Sequence, residues 1–180
     1  MDNYVKSDLT RYYGKCDFKT FLKAYRTNST FRFQYAFRMC QSKGIKKKFG
    51  LFLWRISRMK KNIQIPYETK VGYGLYIGHG GPVIVNPTAS IGNNCNLSQF
   101  VTIGSNEGKA AYIGDNTYIG PSVCIVENVT IGNNVTLGAG SFVTKDIPDN
   151  ATAVGNYAKV INYNAPGRYI KNRWNIESDK

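Results

Sequence analysis

The stretch Ile113-Gly114-Asp115-Asn116-Thr117-Tyr118-Ile119-Gly120-Pro121-Ser122-Val123-Cys124-Ile125-Val126-Glu127-Asn128-Val129-Thr130-Ile131-Gly132 repeats its pattern every six residues. An aliphatic side chain opens each unit, at Ile113, Ile119, Ile125 and Ile131, and a small or β-branched one follows four positions later, at Thr117, Val123 and Val129. The aliphatic register extends back through Ile103, Leu97, Ile91, Val85, Ile77 and Val71 to Ile65, and forward through Leu137 to Val143. The second register adds Thr69, Leu75, Ala89, Cys95, Val101, Val135 and Ser141. Neither an amphipathic helix nor an alternating strand has a six-residue double register. Short units that cannot bury an apolar face alone do so by stacking. The fold expected is mainly β: a left-handed parallel β-helix of hexapeptide repeats, three units to a triangular coil.

Glycine directly follows the aliphatic at Gly72, Gly78, Gly92, Gly104, Gly114, Gly120, Gly132 and Gly138, which reads as conformational freedom for a sharp turn. Two insertions break the count, one between Ile77 and Val85 and a longer one between Ile103 and Ile113. Residues 1–64 lack the register, and Asp17 to Arg26 and Phe31 to Gln41 carry apolar residues at helical spacing, so an α-helical cap is expected there. The β-helix is expected over 65–161, its open end closed by Ala151 to Ile161, and a polar tail, partly helical or mobile, over 162–180.

The formal charge of +13 favours anionic partners without choosing among them. Nucleic acid is set aside, because no recognition motif or aromatic basic stripe accompanies the charge. Cys16, Cys40, Cys95 and Cys124 show no Cys-x-x-Cys spacing and no nearby histidine, so a metal site is not expected and the thiols read as reduced and packed. No apolar run approaches the roughly 18–20 residues of a membrane span. The opening Met-Asp-Asn-Tyr-Val-Lys-Ser-Asp lacks the pattern of a secretory signal, so a cytoplasmic location is expected. The segment Lys46-Lys47-Lys48-Phe49-Gly50-Leu51-Phe52-Leu53-Trp54-Arg55, followed by Arg58, Lys60 and Lys61, reads in two ways. It suits a cap helix burying Phe52 and Trp54, the preferred reading, or a basic helix resting peripherally on the inner face of the membrane.

The one histidine, His79, lies in Gly78-His79-Gly80-Gly81-Pro82 beside the first insertion. Most lone histidines are surface or packing residues. Here the flanking glycines leave the imidazole unhindered, and a group that titrates near neutrality suits general-base work.

Three segments carry a family resemblance: Gly74 through Val85, Val101-Thr102-Ile103-Gly104, and Leu137-Gly138-Ala139-Gly140-Ser141 through Val154-Gly155-Asn156. Over about Asp8 to Ile161 the chain resembles the serine acetyltransferase branch of the hexapeptide acyltransferases, and within it a subgroup associated with surface polysaccharide clusters. The resemblance implies an acetyl-CoA-dependent O-acetyltransferase with His79 as catalytic base and no metal. It implies a homotrimer, with CoA in the groove between neighbouring β-helices, walled by Gly104, Ser105, Pro121 and Ala139. Lys145 and Lys159 are then candidates for the CoA phosphates, and Asp8 and Asp17 for acidic support of His79. The bland reading of these four is solvation or helix capping.

Two departures bear on the acceptor. Family members that acetylate serine typically carry aspartate where this chain has Gly78, and a second histidine in the loop that here reads Gly104 to Ala111. The expected acceptor is therefore a sugar hydroxyl in surface polysaccharide (capsule or O-antigen) biosynthesis. The alternative is serine O-acetyltransferase of cysteine biosynthesis, whose helical domain is usually longer than the segment before Ile65.

Overall fold

A computed structural model describes residues 1–176; residues 177–180 of the expected tail, and the side chains of Arg58, Lys60 and Lys61, lie outside the described set. Four helices open the chain: α1 (Asn3–Tyr13), α2 (Phe18–Thr27), α3 (Ser29–Cys40) and α4 (Gly44–Lys61). Asp2, Asp17 and Asn28 cap the first three through side-chain oxygens that accept backbone N–H groups.

From Ile63 the chain winds as the parallel β-helix that the six-residue register predicts. One face stacks β1 (Ile63–Gln64), β4 (Val83–Val85), β7 (Val101–Gly104), β10 (Cys124–Val126) and β13 (Phe142–Val143). The second stacks β2 (Lys70–Val71), β5 (Ser90–Ile91), β8 (Tyr112–Ile113) and β11 (Thr130–Ile131). The third stacks β3 (Tyr76–Ile77), β6 (Asn96–Leu97), β9 (Tyr118–Ile119), β12 (Thr136–Leu137) and β14 (Thr152–Val154), and antiparallel β15 (Lys159–Asn162) closes its end. Every aliphatic from Ile65 to Val143 in the first register is buried, and the second register, from Thr69 to Ser141, is buried with it.

The glycines after the aliphatics serve a different purpose from the one their sequence suggests. Of the eight, none has positive φ. Six of them, all but Gly78 and Gly104, sit where the next coil leaves no room: a Cβ at Gly114 would stand 2.7 Å from the Gly132 carbonyl carbon, and one at Gly92 would run into the Asp115 carboxylate. The left-handed turn falls two residues later, at Gly74, Asn94, Asn116, Asn134 and Asn150 along one edge of the prism. Beside it, a ladder of side-chain oxygens accepts successive backbone N–H groups: Tyr73 to Asn93, Asn93 to Asp115, Asp115 to Asn133 and Asn133 to Asp149.

The cap finishes the first coil. β2 and β3 are the lower edges of their sheets, and edge strands with the turn between them expose unpaired backbone groups. Side chains of α1 and α3 pair them. Ser7 Oγ and Asp8 Oδ1 accept the Gly74 and Leu75 N–H groups. Gln34 Nε2 donates to the Leu75 carbonyl, Arg11 to that of Gly74, and Arg38 to those of Val71 and Gly72. Phe33, Phe37, Cys40 and Trp54 join the solenoid's apolar core.

Two expectations change. Trp54 is buried and donates its indole N–H to the Ile65 carbonyl at 3.2 Å, but Phe52 lies on the opposite side of α4 and is 62% exposed. Beyond β15, the described part of the tail contains no helix. It runs back down the prism, where Trp174 N–H donates to Asn94 Oδ1, Asn94 Nδ2 donates to the Trp174 carbonyl, and Arg11 Nε donates to that of Lys171. Among the described residues, no helix is long and apolar enough to cross a membrane.

Candidate active site

His79 occupies the turn between β3 and β4, where the first insertion lengthens the corner relative to those above it. The coil is held on both sides of the turn. Gly78 N–H donates to the Leu97 carbonyl at 2.8 Å, and Phe100 N–H donates to the Pro82 carbonyl at 2.6 Å. From the cap, Tyr12 Oη accepts the Ile77 N–H at 3.1 Å, and the phenol also lies within hydrogen-bond distance of the Ile77 carbonyl and of Gln34 Oε1.

His79 has φ +60°, a left-handed conformation that few residues other than glycine adopt, and Gly80 follows at +59°. Gly80 is also required by space, because a Cβ there would stand 2.7 Å from Thr30 Oγ1 at the start of α3. A Cβ at Gly81 would stand 2.7 Å from the Gln99 Cβ. The imidazole is exposed, and none of the hydrogen bonds among the described residues involves it. It is thus an unpaired imidazole projecting from a turn whose backbone is tied to the coil above and the helices below.

The other candidates fall in separate places. Pro121 and Ala139 share His79's edge of the prism, with the Gly140 N–H donating to the Pro121 carbonyl. Gly104 and Ser105 lie on the next edge, at the second insertion, and Lys145 is an exposed residue of that same edge. Lys159 is exposed on β15. A single copy therefore does not assemble the set.

Neither acid supports the histidine by a hydrogen bond. Asp8 is buried, and its two oxygens accept from Arg38 Nε and Nη2 at 2.9 and 3.0 Å, with the Leu75 N–H adding a third bond. Burial pushes its carboxyl pKa up, against the pull of the Arg38 guanidinium. Asp17 is exposed and committed to the N-terminus of α2, where it accepts the Thr20 N–H and hydroxyl. These bonds hold its carboxyl below the ordinary range.

Two residues escaped the sequence reading. Glu127 anchors the base of the second insertion: its carboxylate accepts the Ser105 hydroxyl at 2.8 Å and the N–H groups of Asn106 and Glu107. The Ser105 hydroxyl bond is the main reason the Glu127 carboxyl lies below its usual range. The signal was available, since Glu127 is 22 residues after Ser105, one coil plus the insertion. The second is Gln99, directly above the His79 turn, whose Oε1 is buried without a hydrogen-bond partner among the described residues. Its position one coil above Gly81 could have been counted; the lack of a partner for its oxygen could not.

Among the described residues, no group of three or more His, Cys, Asp and Glu side chains stands close enough to hold a metal ion. With this geometry in place, comparison with known proteins defines the class. Residues 110–145 match the bacterial transferase hexapeptide family (six repeats). The chain is a hexapeptide-repeat β-helix whose sequence and fold are similar to those of serine acetyltransferases. It is 33% identical over 113 residues to a serine acetyltransferase of Synechococcus elongatus, a match covering 61% of this chain and 46% of that one. A serine acetyltransferase of Helicobacter pylori is 32% identical over 113 residues, covering 61% of this chain and 66% of its own. Among solved structures, soybean serine acetyltransferase superposes with a TM-score of 0.71 at 27% identity, over 88% of this chain and 67% of that one. The Neisseria gonorrhoeae serine acetyltransferase in complex with serine gives 0.69 at 28%, over 87% and 67%. The chain thus spans about half to two thirds of the length of these relatives.

These comparisons overturn the expectation of a surface-polysaccharide acceptor. The relatives are serine acetyltransferases, which was the alternative. The sugar reading rested on resemblance to a polysaccharide-associated subgroup, on the short helical segment before Ile65 and on two absent side chains, at Gly78 and in the loop from Gly104; an absent side chain carries no positive information about a sugar.

Proposed function

We propose that the protein is an acetyl-CoA-dependent serine O-acetyltransferase in which His79 is the general base. The observation that carries this reading is the placement of the chain's one imidazole, unpaired and exposed, on a braced inserted turn in a serine acetyltransferase-like chain. In this scheme a ring nitrogen of His79 takes the proton of the serine hydroxyl as its oxygen attacks the thioester carbonyl. The tetrahedral intermediate collapses by breaking the carbon–sulfur bond, and the CoA thiolate leaves with the proton returned from the imidazolium. Backbone N–H groups stabilise the oxyanion.

CoA lies in this reading along His79's edge, against Pro121 and Ala139, with Lys145 and Lys159 serving its phosphates. Gly104, Ser105 and Lys145 stand on another edge of the same prism, so they reach that groove only from a neighbouring copy. A homotrimer closes such edge-to-edge contacts by cyclic symmetry. Incubating the protein with acetyl-CoA and L-serine and detecting O-acetylserine by mass spectrometry tests the reading. Absence of that product, with the protein folded, removes serine as acceptor.

A further inference from the structure

Helix α4 has two apolar faces. One faces inward: Trp54 is buried, and Gly50 lies so close to α3 that a Cβ there would stand 2.7 Å from the Met39 Cβ. The other consists of Ile45, Phe49, Phe52, Ile56 and Met59, at alternating steps of four and three residues, which places them on a single stripe about 180° from Gly50 and Trp54. All five are exposed, Ile45 at 86%, Phe52 at 62% and Met59 at 74%. A stripe of this size on a soluble face marks contact with something apolar.

Charge selects the occupant. From Gly44 to Lys61 the helix contains no acidic residue, while Lys46, Lys47, Lys48 and Arg55 are exposed along it. At the ideal helical rotation, Lys48 and Arg55 border one side of the stripe and Lys46 the other. The single described ion pair of the helix is a long one, Lys46 Nζ to Asp2 at 3.9 Å. A second copy docking through this face about a two-fold axis would bring the cationic helix against itself. An apolar strip bordered by cations suits a bilayer interface with anionic headgroups, where the aromatic and aliphatic side chains enter the acyl boundary and the lysines and arginine meet phosphate.

We propose that the outer face of α4 seats the protein peripherally on anionic lipid. The proposal is independent of the catalytic reading, because α4 contributes none of the residues placed at the His79 turn.

The test is co-sedimentation of the full-length protein with vesicles of equimolar phosphatidylglycerol and phosphatidylcholine, and with phosphatidylcholine alone. The doubly substituted Phe49→Ser, Phe52→Ser protein, altered only at exposed positions, is measured in parallel, with circular dichroism to confirm its fold. Binding to the anionic vesicles, weakened by added salt and at least about tenfold by the double substitution, is the expected result. No binding to anionic vesicles, or equal binding by the substituted protein, overturns the proposal. So does a fall in the mass of the protein in free solution on substitution, which would assign the stripe to contact between copies.

Discussion

The Asp8 carboxylate grips the Arg38 guanidinium through two hydrogen bonds of 2.9 and 3.0 Å, in a setting where each side chain is almost wholly inaccessible. The pair joins α1 to α3, and both members continue into the first coil: Asp8 accepts the Leu75 N–H, and Arg38 donates to the Val71 and Gly72 carbonyls. The sequence offered Asp8 as a candidate partner for His79. The structure gives it the task of terminating a sheet edge.

Removing one member should therefore destabilise the whole chain. Asp8→Ala leaves a buried guanidinium and the Leu75 N–H without their partner, and a loss of about 3–5 kcal/mol is expected. The loss is read from the urea midpoint. Replacing both Asp8 and Arg38 with apolar residues of similar size should cost less than Asp8→Ala alone, because no charge is stranded. A loss of under about 1 kcal/mol for Asp8→Ala would show that the pair is not what ties the cap to the coil.

Most glycines of the repeat, Gly114 among them, are constrained by space. Gly114→Ala places a methyl group 2.7 Å from the Gly132 carbonyl carbon of the next coil, which is backbone and cannot swing aside. A destabilisation of about 1–3 kcal/mol is expected. At Gly104 no atom lies within 4 Å of the added Cβ, so Gly104→Ala should leave the denaturation midpoint nearly unchanged. Equal effects at the two positions would refute the steric account.

The second insertion depends on the ionised form of Glu127. Its carboxyl pKa is depressed in the folded state, so the stabilisation it supplies is present above the unfolded carboxyl pKa and is lost as pH falls through the folded value. Glu127→Gln at neutral pH should raise amide hydrogen exchange at Asn106 and Glu107, and acidification of the unaltered protein through that range should do the same. Unchanged protection at both amides in the Gln variant would assign the loop's order to the Asn86 contact with the Ser105 carbonyl instead.

The solenoid was legible because its signal is redundant: each aliphatic from Ile65 to Val143 falls in register with its neighbours, and the two insertions appeared as simple offsets in the count. The position of His79 at the first offset followed from the same arithmetic. What the sequence concealed depends on contacts across the coil. The left-handed residues Asn94, Asn116 and Asn134 fall outside both registers, and the glycines two places before them were credited with the turn. Asp8 and Asp17 were plausible acids until their hydrogen-bond partners, Arg38 and Thr20, were known. Phe52 and Trp54, two residues apart, were assigned to one buried face although a helix turns about 200° between them. The acceptor was misjudged because missing side chains were treated as a signature.

The most direct measurement is turnover by a His79→Asn variant, since asparagine tolerates the left-handed backbone at this position and removes the imidazole. Thiol release from acetyl-CoA in the presence of L-serine should fall by about two orders of magnitude or more, with the denaturation midpoint unchanged. Turnover equal to that of the unaltered protein would contradict the assignment of His79 as the base.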